Sequence, residues 1–185
     1  MNHRTYLDFL HKVEKLKCNL RHSWTSSGRQ ESVAEHSWRL AVMAMLCRDE
    51  YPDLDMNRVV KMCLVHDFGE AITGDIPSFH KTAQHERDEA NAIEELLGDL
   101  SAELREEMQS LFGEMNAGET REAKLFKSLD NLEAVISHNE ADISTWIPLE
   151  YEENLTYGEE NCAWSEWTKA LRAELRQDSV EKIDS

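Results

Sequence analysis

Residues 66–75, which read HDFGEAITGD, concentrate side chains that can bind metal ions or transfer protons. They follow an apolar stretch at 59–65, VVKMCLV, whose composition indicates a buried helix. Imidazole nitrogens and carboxylate oxygens are ligands that divalent cations accept. The segment therefore predicts a metal or acid–base site where a buried helix ends, with four candidate side chains: His66, Asp67, Glu70 and Asp75.

Two residues elsewhere in the chain extend this set. His36 lies about one turn inside a helix that is predicted to begin near residue 32. Asp130 shares a helix face with Phe126 and Ala134, so we expect it to point toward apolar neighbours. A lone buried carboxylate is costly unless it is paired or bound to a cation. Two imidazoles and two carboxylates would form a divalent-metal site with these ligands: His36, His66, Asp67 and Asp130.

Such a site suggests hydrolytic chemistry, because a divalent cation makes a bound water much more acidic. Glu70 stands four residues after His66, so we expect it on the same face of one helix, where it could act as a general acid or base. Taken singly, each of these residues has an ordinary interpretation as a hydrogen-bonded residue of the core or its boundary. Their distribution over three predicted apolar helices favours a site.

Charge and cysteine content exclude several classes of function. The chain has 185 residues and a net charge of −17, which disfavours DNA or RNA polymers but still permits a small anion in a local basic pocket. The four cysteines are scattered without a C-x-x-C pair, which argues against a zinc ribbon or disulfide framework and fits a reducing cytoplasm. We find no signal peptide and no run of about 18 apolar residues, so no membrane association is expected.

Helical periodicity recurs from end to end, and no segment alternates as a strand would. A capping box at Ser32 and Glu35 is predicted to begin the second helix, and residues 21–31 are predicted to be a loop. We therefore predict one all-α domain over 1–185, with six to eight helices around a buried metal site and a core at 16–139. Helices are expected near 7–20, 32–50, 55–72, 83–97, 104–112, 120–138 and 163–177, followed by a frayed tail at 178–185.

Three longer segments resemble a known family: ESVAEHSWRL at 31–40, HDFGEAITGDIP at 66–77 and AGETREAKLFKSLDNLE at 117–133. Over most of its length the chain resembles the HD-domain metal-dependent phosphohydrolases, and within them the 5′-deoxynucleotidase branch. The resemblance implies an all-α fold, often a homodimer, that hydrolyses deoxynucleoside 5′-monophosphates to deoxynucleoside and phosphate. It also implies a divalent cation on the four ligands named above, and the metals that accept such nitrogen and oxygen ligands include Mn, Co, Ni, Zn and Mg.

The resemblance further implies roles for individual residues. Arg21 would orient the phosphate, Trp24 and Asp75 would shape the sugar pocket, and Glu70 would act in catalysis with Asp67 and Arg21. Some relatives hold a second metal on residues matching Glu70 and Asp75, and the sequence leaves that alternative open. The complete expected substrate-binding set is Arg21, Trp24, His36, Asp75, Ile76, Pro77 and Ser78.

One segment departs from the family pattern. Residues 20–24 read LRHSW where many relatives read Pro-Arg-Thr-Gly-Trp.

His22 and His138 have no metal-ligand spacing, and we expect ordinary surface roles for them, as for His80 and His85. No base-reading group stands out, so little preference among nucleobases is expected.

Two other functions compete with this interpretation. One is an HD-type hydrolase of another phosphoester, such as a nucleoside triphosphate or a cyclic nucleotide. The chain leaves little room for a polyphosphate-binding insertion, and no further histidine pair suggests an obligate dinuclear phosphodiesterase. The other is a non-catalytic metal module that senses nucleotides. The presence of Glu70, Arg21 and Asp75 beside the ligand set weakens it, since a sensor needs no proton-transfer group.

Overall fold

The computed structural model describes the backbone of all 185 residues and every side chain except that of Ser78. Within this described part there are eight longer helices and two short helices of four residues each, in agreement with the all-α prediction. The helices are α1 (His3–Val13), α2 (Val33–Leu46), α3 (Met56–Val65), α4 (Glu70–Thr73), α5 (Ala83–Leu97), α6 (Ala102–Ala117), α7 (Arg121–Glu140), α8 (Glu150–Thr156), α9 (Glu159–Cys162) and α10 (Glu166–Asp184).

Helix α7 runs through the centre and packs against α2, α3 and α10. Its apolar side chains Leu125, Leu129 and Leu132 are fully buried, together with Leu40 of α2 and Met62 of α3. Burial of this apolar surface is the main force that holds the helices together. None of the described helices combines the length and apolar character needed to cross a lipid bilayer.

The start of α2 has the predicted capping box. The Ser32 hydroxyl accepts a hydrogen bond from the Glu35 backbone N–H at 3.3 Å, and the Glu35 carboxylate accepts one from the Ser32 N–H at 2.9 Å. Arg29 donates two further hydrogen bonds to this carboxylate. These bonds lower the pKa of Glu35 to about 2, the Arg29 contact contributing most. The cap fixes the first turn of α2, which places His36 one turn inside.

The predicted loop at 21–31 is a β-hairpin instead. Strands β1 (Leu20–Trp24) and β2 (Gln30–Ser32) pair antiparallel, and Gly28 adopts a φ of +83° in the turn. The hairpin escaped sequence analysis because its inward face is polar. Arg21 is partly buried there and forms ion pairs with Glu31 and Glu133, so no alternation of apolar residues is present.

The prediction of a single helix at 55–72 is also wrong. Helix α3 ends at Val65, a turn follows, and α4 begins at Glu70. In this turn the chain packs closely against α5 at Gly69. A Cβ atom at this position would lie 2.7 Å from Cγ of Glu89, so only glycine fits without a shift. Glu70 therefore does not share a helix face with His66, contrary to the expectation from their spacing.

The C-terminal tail is helical rather than frayed, since α10 continues to Asp184. Ser179 is fully buried, donates a hydrogen bond to Asn139 at 2.9 Å and accepts one from Asn154 at 2.9 Å. The sequence looked polar here because the contact that holds the end of α10 is itself polar. Helix α6 is likewise longer than the segment predicted at 104–112, and α8 and α9 were not predicted.

Candidate active site

Two imidazoles and two carboxylates converge between α2, the end of α3 and α7. His36 Nε2 lies 3.1 Å from Asp130 Oδ1, and His66 Nε2 lies 3.7 Å from the same oxygen. His66 Nε2 is also 3.0 Å from Asp67 Oδ2. Ligand atoms of His36, His66 and Asp67 lie within 4.8 Å of one another, a spacing that suits one ion. The structure thus brings together all four side chains that the sequence selected.

Both imidazoles are oriented by a second hydrogen bond on the opposite nitrogen. His66 Nδ1 donates to the carbonyl oxygen of Cys63 at 3.0 Å, and His36 Nδ1 contacts the Glu133 carboxylate. A partner on Nδ1 leaves the Nε2 lone pair directed at the cluster, which is the usual arrangement around metal-binding histidines. The donor set and its orientation therefore fit a divalent cation.

The charges of the cluster also fit a cation site. Burial raises the pKa of Asp67, but His66 and His36 together lower it to about 2. Burial and Arg21 lower the pKa of His36, but Glu133 and Asp130 together raise it to about 9. Without a metal, His36 is thus protonated at neutral pH between these carboxylates. A cation bound there would displace this proton, because a metal ligand must be the neutral imidazole.

Glu133, which the sequence analysis did not select, organises the wall behind His36. It is fully buried and accepts hydrogen bonds from Arg39 Nε at 2.6 Å and Arg21 Nη1 at 3.3 Å. Burial would raise the pKa of Glu133, but His36 and the two guanidinium groups lower it to about 2. Its position three residues after Asp130, on the same helix, was the signal available in the sequence.

Glu31, His36 and Glu133 are also close enough to hold an ion. We do not favour a metal there, since Arg21 and Arg39 already neutralise both carboxylates. Two guanidinium groups would also repel a second cation.

Glu70 lies beside the cluster as a buried carboxyl, 3% exposed. Its Oε2 has no hydrogen-bond partner among the described residues, and Lys81 Nζ is 3.9 Å from Oε1. Burial and the nearby carboxylates of Asp67 and Asp75 raise the pKa of Glu70 to about 9. At neutral pH it therefore carries a proton that it could donate.

Glu70 also forms a close group with Asp67 and Glu89, a residue that sequence analysis missed. Asp75, the expected partner of Glu70 for a second metal, is not part of this group. Lys81 lies 2.9 Å from Glu89 and supplies part of the positive charge that such a group needs. Any second ion at Glu70 would therefore be held with Asp67 and Glu89 rather than with Asp75. The ammonium group of Lys81 near Glu70 and Glu89 would repel such a cation, which favours an acid–base role for Glu70.

Local positive charge is present in spite of the acidic composition. Arg21 lies at the cavity wall, and nearby carboxylates raise its pKa although burial opposes this, so it stays charged. Lys127 Nζ lies 2.9 Å from Asp130 Oδ2, and Lys81 lines the same space. Sequence analysis identified only Arg21 of these cations, since surface lysines carry no distinctive pattern.

These groups line one cavity of about 790 Å³, a size usual for small-molecule sites. Asp75, Ile76 and Pro77 line it as expected, whereas the side chain of Ser78 lies outside the described part of the structure. Trp24 is not among the lining residues, and its ring packs edge-to-face against His22 at 5.0 Å. His22 itself lines the cavity.

His138, predicted like His22 to have a surface role, also lines the cavity, eight residues beyond Asp130 along α7. Burial lowers the pKa of His138, so its imidazole is neutral at pH 7. Its Nε2 lies 3.4 Å from the carbonyl oxygen of His22 and 3.6 Å from Glu150 Oε1. The surface roles predicted for both histidines are therefore wrong.

Comparison with known proteins identifies the family to which the chain is similar. The HD domain family model matches residues 13–172. The 5′-deoxynucleotidase HDDC2 of Homo sapiens is 37% identical over 142 residues, which cover 74% of this chain and 68% of that protein. The 5′-deoxynucleotidase hdd1 of Schizosaccharomyces pombe is 35% identical over 135 residues, covering 69% and 67%. The crystal structure of a "predicted metal-dependent phosphohydrolase" from Magnetospirillum magnetotacticum MS-1 superposes with a TM-score of 0.80 at 30% identity, covering 97% of this chain and 93% of that one.

Proposed function

Because the chain belongs to the HD domain family, we propose that it is a metal-dependent 5′-deoxynucleotidase, which hydrolyses deoxynucleoside 5′-monophosphates to deoxynucleoside and phosphate. One observation carries the proposal. Two imidazoles, each oriented through Nδ1, meet two carboxylates at a cavity that is also lined by Arg21 and by the buried carboxyl group of Glu70. The relatives named 5′-deoxynucleotidase supply the substrate class.

His36, His66, Asp67 and Asp130 are the residues that would hold the cation. A divalent ion there supplies two things, neutralisation of phosphate charge and a more acidic water. Nitrogen and oxygen ligands in this mixture suit Mn, Co, Ni, Zn and Mg, so the native metal is a matter for elemental analysis of the purified protein.

Arg21 binds the phosphate in this proposal. Its guanidinium is held in place by Glu31 at 3.1 Å and Glu133 at 3.3 Å, both on Nη1. That arrangement leaves other N–H groups of Arg21 free to donate to phosphate oxygens, where charge-assisted hydrogen bonds are strong. Because two carboxylates fix the side chain beforehand, little conformational entropy is lost when the phosphate binds.

Glu70 delivers the proton to the leaving group. When the bond between phosphorus and the 5′-oxygen breaks, that oxygen needs a proton to leave as a hydroxyl. Glu70 is buried, and burial together with the Asp67 and Asp75 carboxylates raises its pKa, which favours the protonated state that a general acid requires. Asp75, on the loop after α4, lies in the cavity wall, where its carboxylate could accept a hydrogen bond from the 3′-hydroxyl of the sugar.

A turnover assay on a panel of nucleotides tests this function. We expect deoxynucleoside 5′-monophosphates to be hydrolysed faster than the matching ribonucleotides, with activity lost on chelation and restored by added divalent metal. Faster turnover of nucleoside triphosphates or cyclic nucleotides would instead indicate another HD phosphohydrolase. Nucleotide binding without any turnover, in protein shown to contain metal, would indicate a sensor.

Replacing Glu70 by Gln should lower kcat by about 10²-fold, because the amide keeps the shape of the side chain and cannot donate an acidic proton. Metal content by elemental analysis should match that of the wild type. The matched control is Glu86→Gln, which changes another glutamate at the cavity that has no close partner in the metal-ligand cluster. Loss of one metal equivalent in Glu70→Gln would move this residue into a dinuclear site.

We further propose that the protein is a homodimer. Trp38, Met45 and Leu46 lie on α2 and are all strongly exposed, with Trp38 at 65%. Large apolar side chains clustered on the surface of a soluble chain commonly mark an interaction site.

Trp38→Glu should convert this dimer to a monomer, because a carboxylate is costly to bury in an apolar interface. Sedimentation velocity or light scattering after gel filtration measures the mass. Leu7→Glu on α1 serves as the control with a similar change at another exposed position. A wild-type protein of monomeric mass at micromolar concentration would contradict the dimer.

We infer that the protein functions in a reducing compartment such as the cytoplasm. Its four cysteines are free thiols in the structure, three of them buried. Oxidising compartments favour disulfide formation between cysteines, and free thiols persist mainly where glutathione and thioredoxin keep them reduced.

A further inference from the structure

A second polar group lies in the same cavity, away from the metal-ligand cluster, and none of the proposed catalytic steps uses it. We name it the distal cluster, and it consists of His22 on β1, His138 on α7 and Glu150 on α8. Glu150 Oε1 lies 3.2 Å from His22 Nε2 and 3.6 Å from His138 Nε2. All three side chains line the cavity.

The distal cluster holds hydrogen-bonding capacity that the protein itself does not satisfy. His22 Nε2 is buried and has no hydrogen-bond partner with good geometry among the described residues. Glu150 is 3% exposed, and its Oε2 accepts a hydrogen bond from the backbone N–H of Ile147 at 2.7 Å. That bond fixes the carboxylate and leaves Oε1 for another donor. Buried polar atoms without partners are costly, so a ligand that supplies the partners would bind here.

The distal cluster lies where the nucleoside of a bound nucleotide should extend. Asp130, Ala134 and His138 line the cavity from α7 at intervals of four residues. Eight residues of helix correspond to about 12 Å along its axis. A substrate whose phosphate lies at the Asp130 end would therefore reach the His138 end with its nucleoside. The small side chain of Ala134 leaves room between the two ends.

An aromatic surface accompanies the polar groups. The ring of Phe79 lies edge-to-face against His22 at 5.8 Å, and both line the cavity. Aromatic rings of this kind offer a face on which a nucleobase can stack. The cluster thus combines a stacking surface with a carboxylate acceptor and an imidazole.

We propose that the distal cluster recognises the nucleobase of the substrate and favours bases that carry an exocyclic amino group. This inference rests on the proposed nucleotidase function and adds a base preference to it. The amino group of adenine or cytosine donates to Glu150 Oε1, and the adjacent ring nitrogen accepts from His22 when its proton is on Nε2. Thymine presents carbonyl oxygens on both sides of its ring N–H, and these repel a carboxylate.

The first measurement compares kcat/KM for dAMP, dCMP and dTMP. For the wild type we expect values at least about tenfold higher for dAMP and dCMP than for dTMP, since a hydrogen bond to a charged partner is gained or lost. Equilibrium binding of the products deoxyadenosine and thymidine, measured by calorimetry, should show the same order. A wild-type ratio near one in both measurements would overturn the proposal.

Glu150→Gln tests the proposal more directly, because the hydrogen bond from the Ile147 backbone N–H fixes which way the new amide group is oriented. The backbone N–H of Ile147 still needs an acceptor, so the amide oxygen should take that bond and the amide NH2 should face the cavity. The site would then present a donor where it had an acceptor, and the dAMP to dTMP ratio should fall to one or below. Glu152→Gln, an exposed position on the same helix, is the control and should keep the wild-type ratio.

A substrate without a base separates failure of this inference from failure of the function. Wild type and Glu150→Gln should hydrolyse 2-deoxyribose 5-phosphate at equal rates, because this substrate does not reach the distal cluster. His22→Ala, which removes the proposed donor to the ring nitrogen and leaves the Ile147 hydrogen bond intact, should also narrow the base preference and covers the case in which Glu150→Gln does not fold. Nucleotide hydrolysis with an unchanged base ratio in both variants would refute the distal cluster alone. No hydrolysis of any of these substrates by metal-loaded wild type would refute the function and this inference together.

Discussion

Replacing Asp130 by Ala should remove the metal and lower kcat/KM by at least about 10³-fold. Asp130 Oδ1 lies 3.1 Å from His36 Nε2 and 3.7 Å from His66 Nε2, so the substitution removes a carboxylate that lies next to both imidazoles. A metal contributes several kcal/mol of charge stabilisation to phosphate-ester hydrolysis, and each 1.36 kcal/mol is a factor of ten in rate. Elemental analysis and steady-state kinetics on dAMP measure the two effects.

Thermal unfolding gives an independent readout of the same variant. A ligand that binds only the folded state stabilises it, by about 2.7 kcal/mol at one hundred times its Kd. The wild-type Tm should therefore rise with added metal, and the Tm of Asp130→Ala should not respond. Asp178→Ala, at an exposed position on α10, should behave as wild type. Full metal occupancy in Asp130→Ala would show that the ligand assignment is wrong.

Replacing Glu133 by Ala should give the largest loss of stability, about 3–5 kcal/mol, because it leaves buried positive charge without its partner. Glu133 is fully buried and pairs with Arg39 at 2.6 Å, with Arg21 at 3.3 Å and with His36. Metal affinity should also fall, by about 10–100-fold, since Glu133 orients the His36 ring. Urea unfolding measures the first effect and metal titration the second.

The control for Glu133→Ala is Glu140→Ala, which removes another carboxylate that forms an ion pair with Arg39. Glu140 contacts Arg39 Nη1, but its side chain is 52% exposed. Exposed ion pairs contribute little, so this variant should lose no more than about 1 kcal/mol and keep its metal affinity. Equal destabilisation by the two substitutions would mean that burial of the Glu133 network does not matter.

Local sequence patterns were sufficient to identify the four proposed metal ligands. Helical periodicity placed Asp130 on an apolar face, and the Ser32–Glu35 capping box placed His36 one turn inside α2. Both signals depend on residues within a few positions of one another along the chain. The structure agrees with them because helix geometry fixes which side chains share a face, regardless of what packs against it.

The segment after His66 shows where local patterns stop being informative. An apolar run followed by Glu70 and Ile72 reads as one continuous helix. The chain breaks there because Gly69 lies against Glu89 and Ile93 of α5, a contact across some twenty residues of sequence. Whether Glu70 lies beside His66 or beside Glu89 therefore depended on how α5 packs.

The sequence by itself determined the helical class of the chain, through helical periodicity, and its family, through the resemblance of three longer segments. It also selected the four proposed metal ligands, from side-chain types on predicted apolar helices. Only the tertiary structure decided that residues 20–32 form a hairpin, that Glu133 lies behind His36, and that His22, His138 and Glu150 meet in one cavity. The contacts of Glu133 with His36 and of Glu150 with His22 join polar groups more than 90 residues apart in the chain. Their stability comes from charge pairing and burial in three dimensions, which leave no periodic pattern along the sequence.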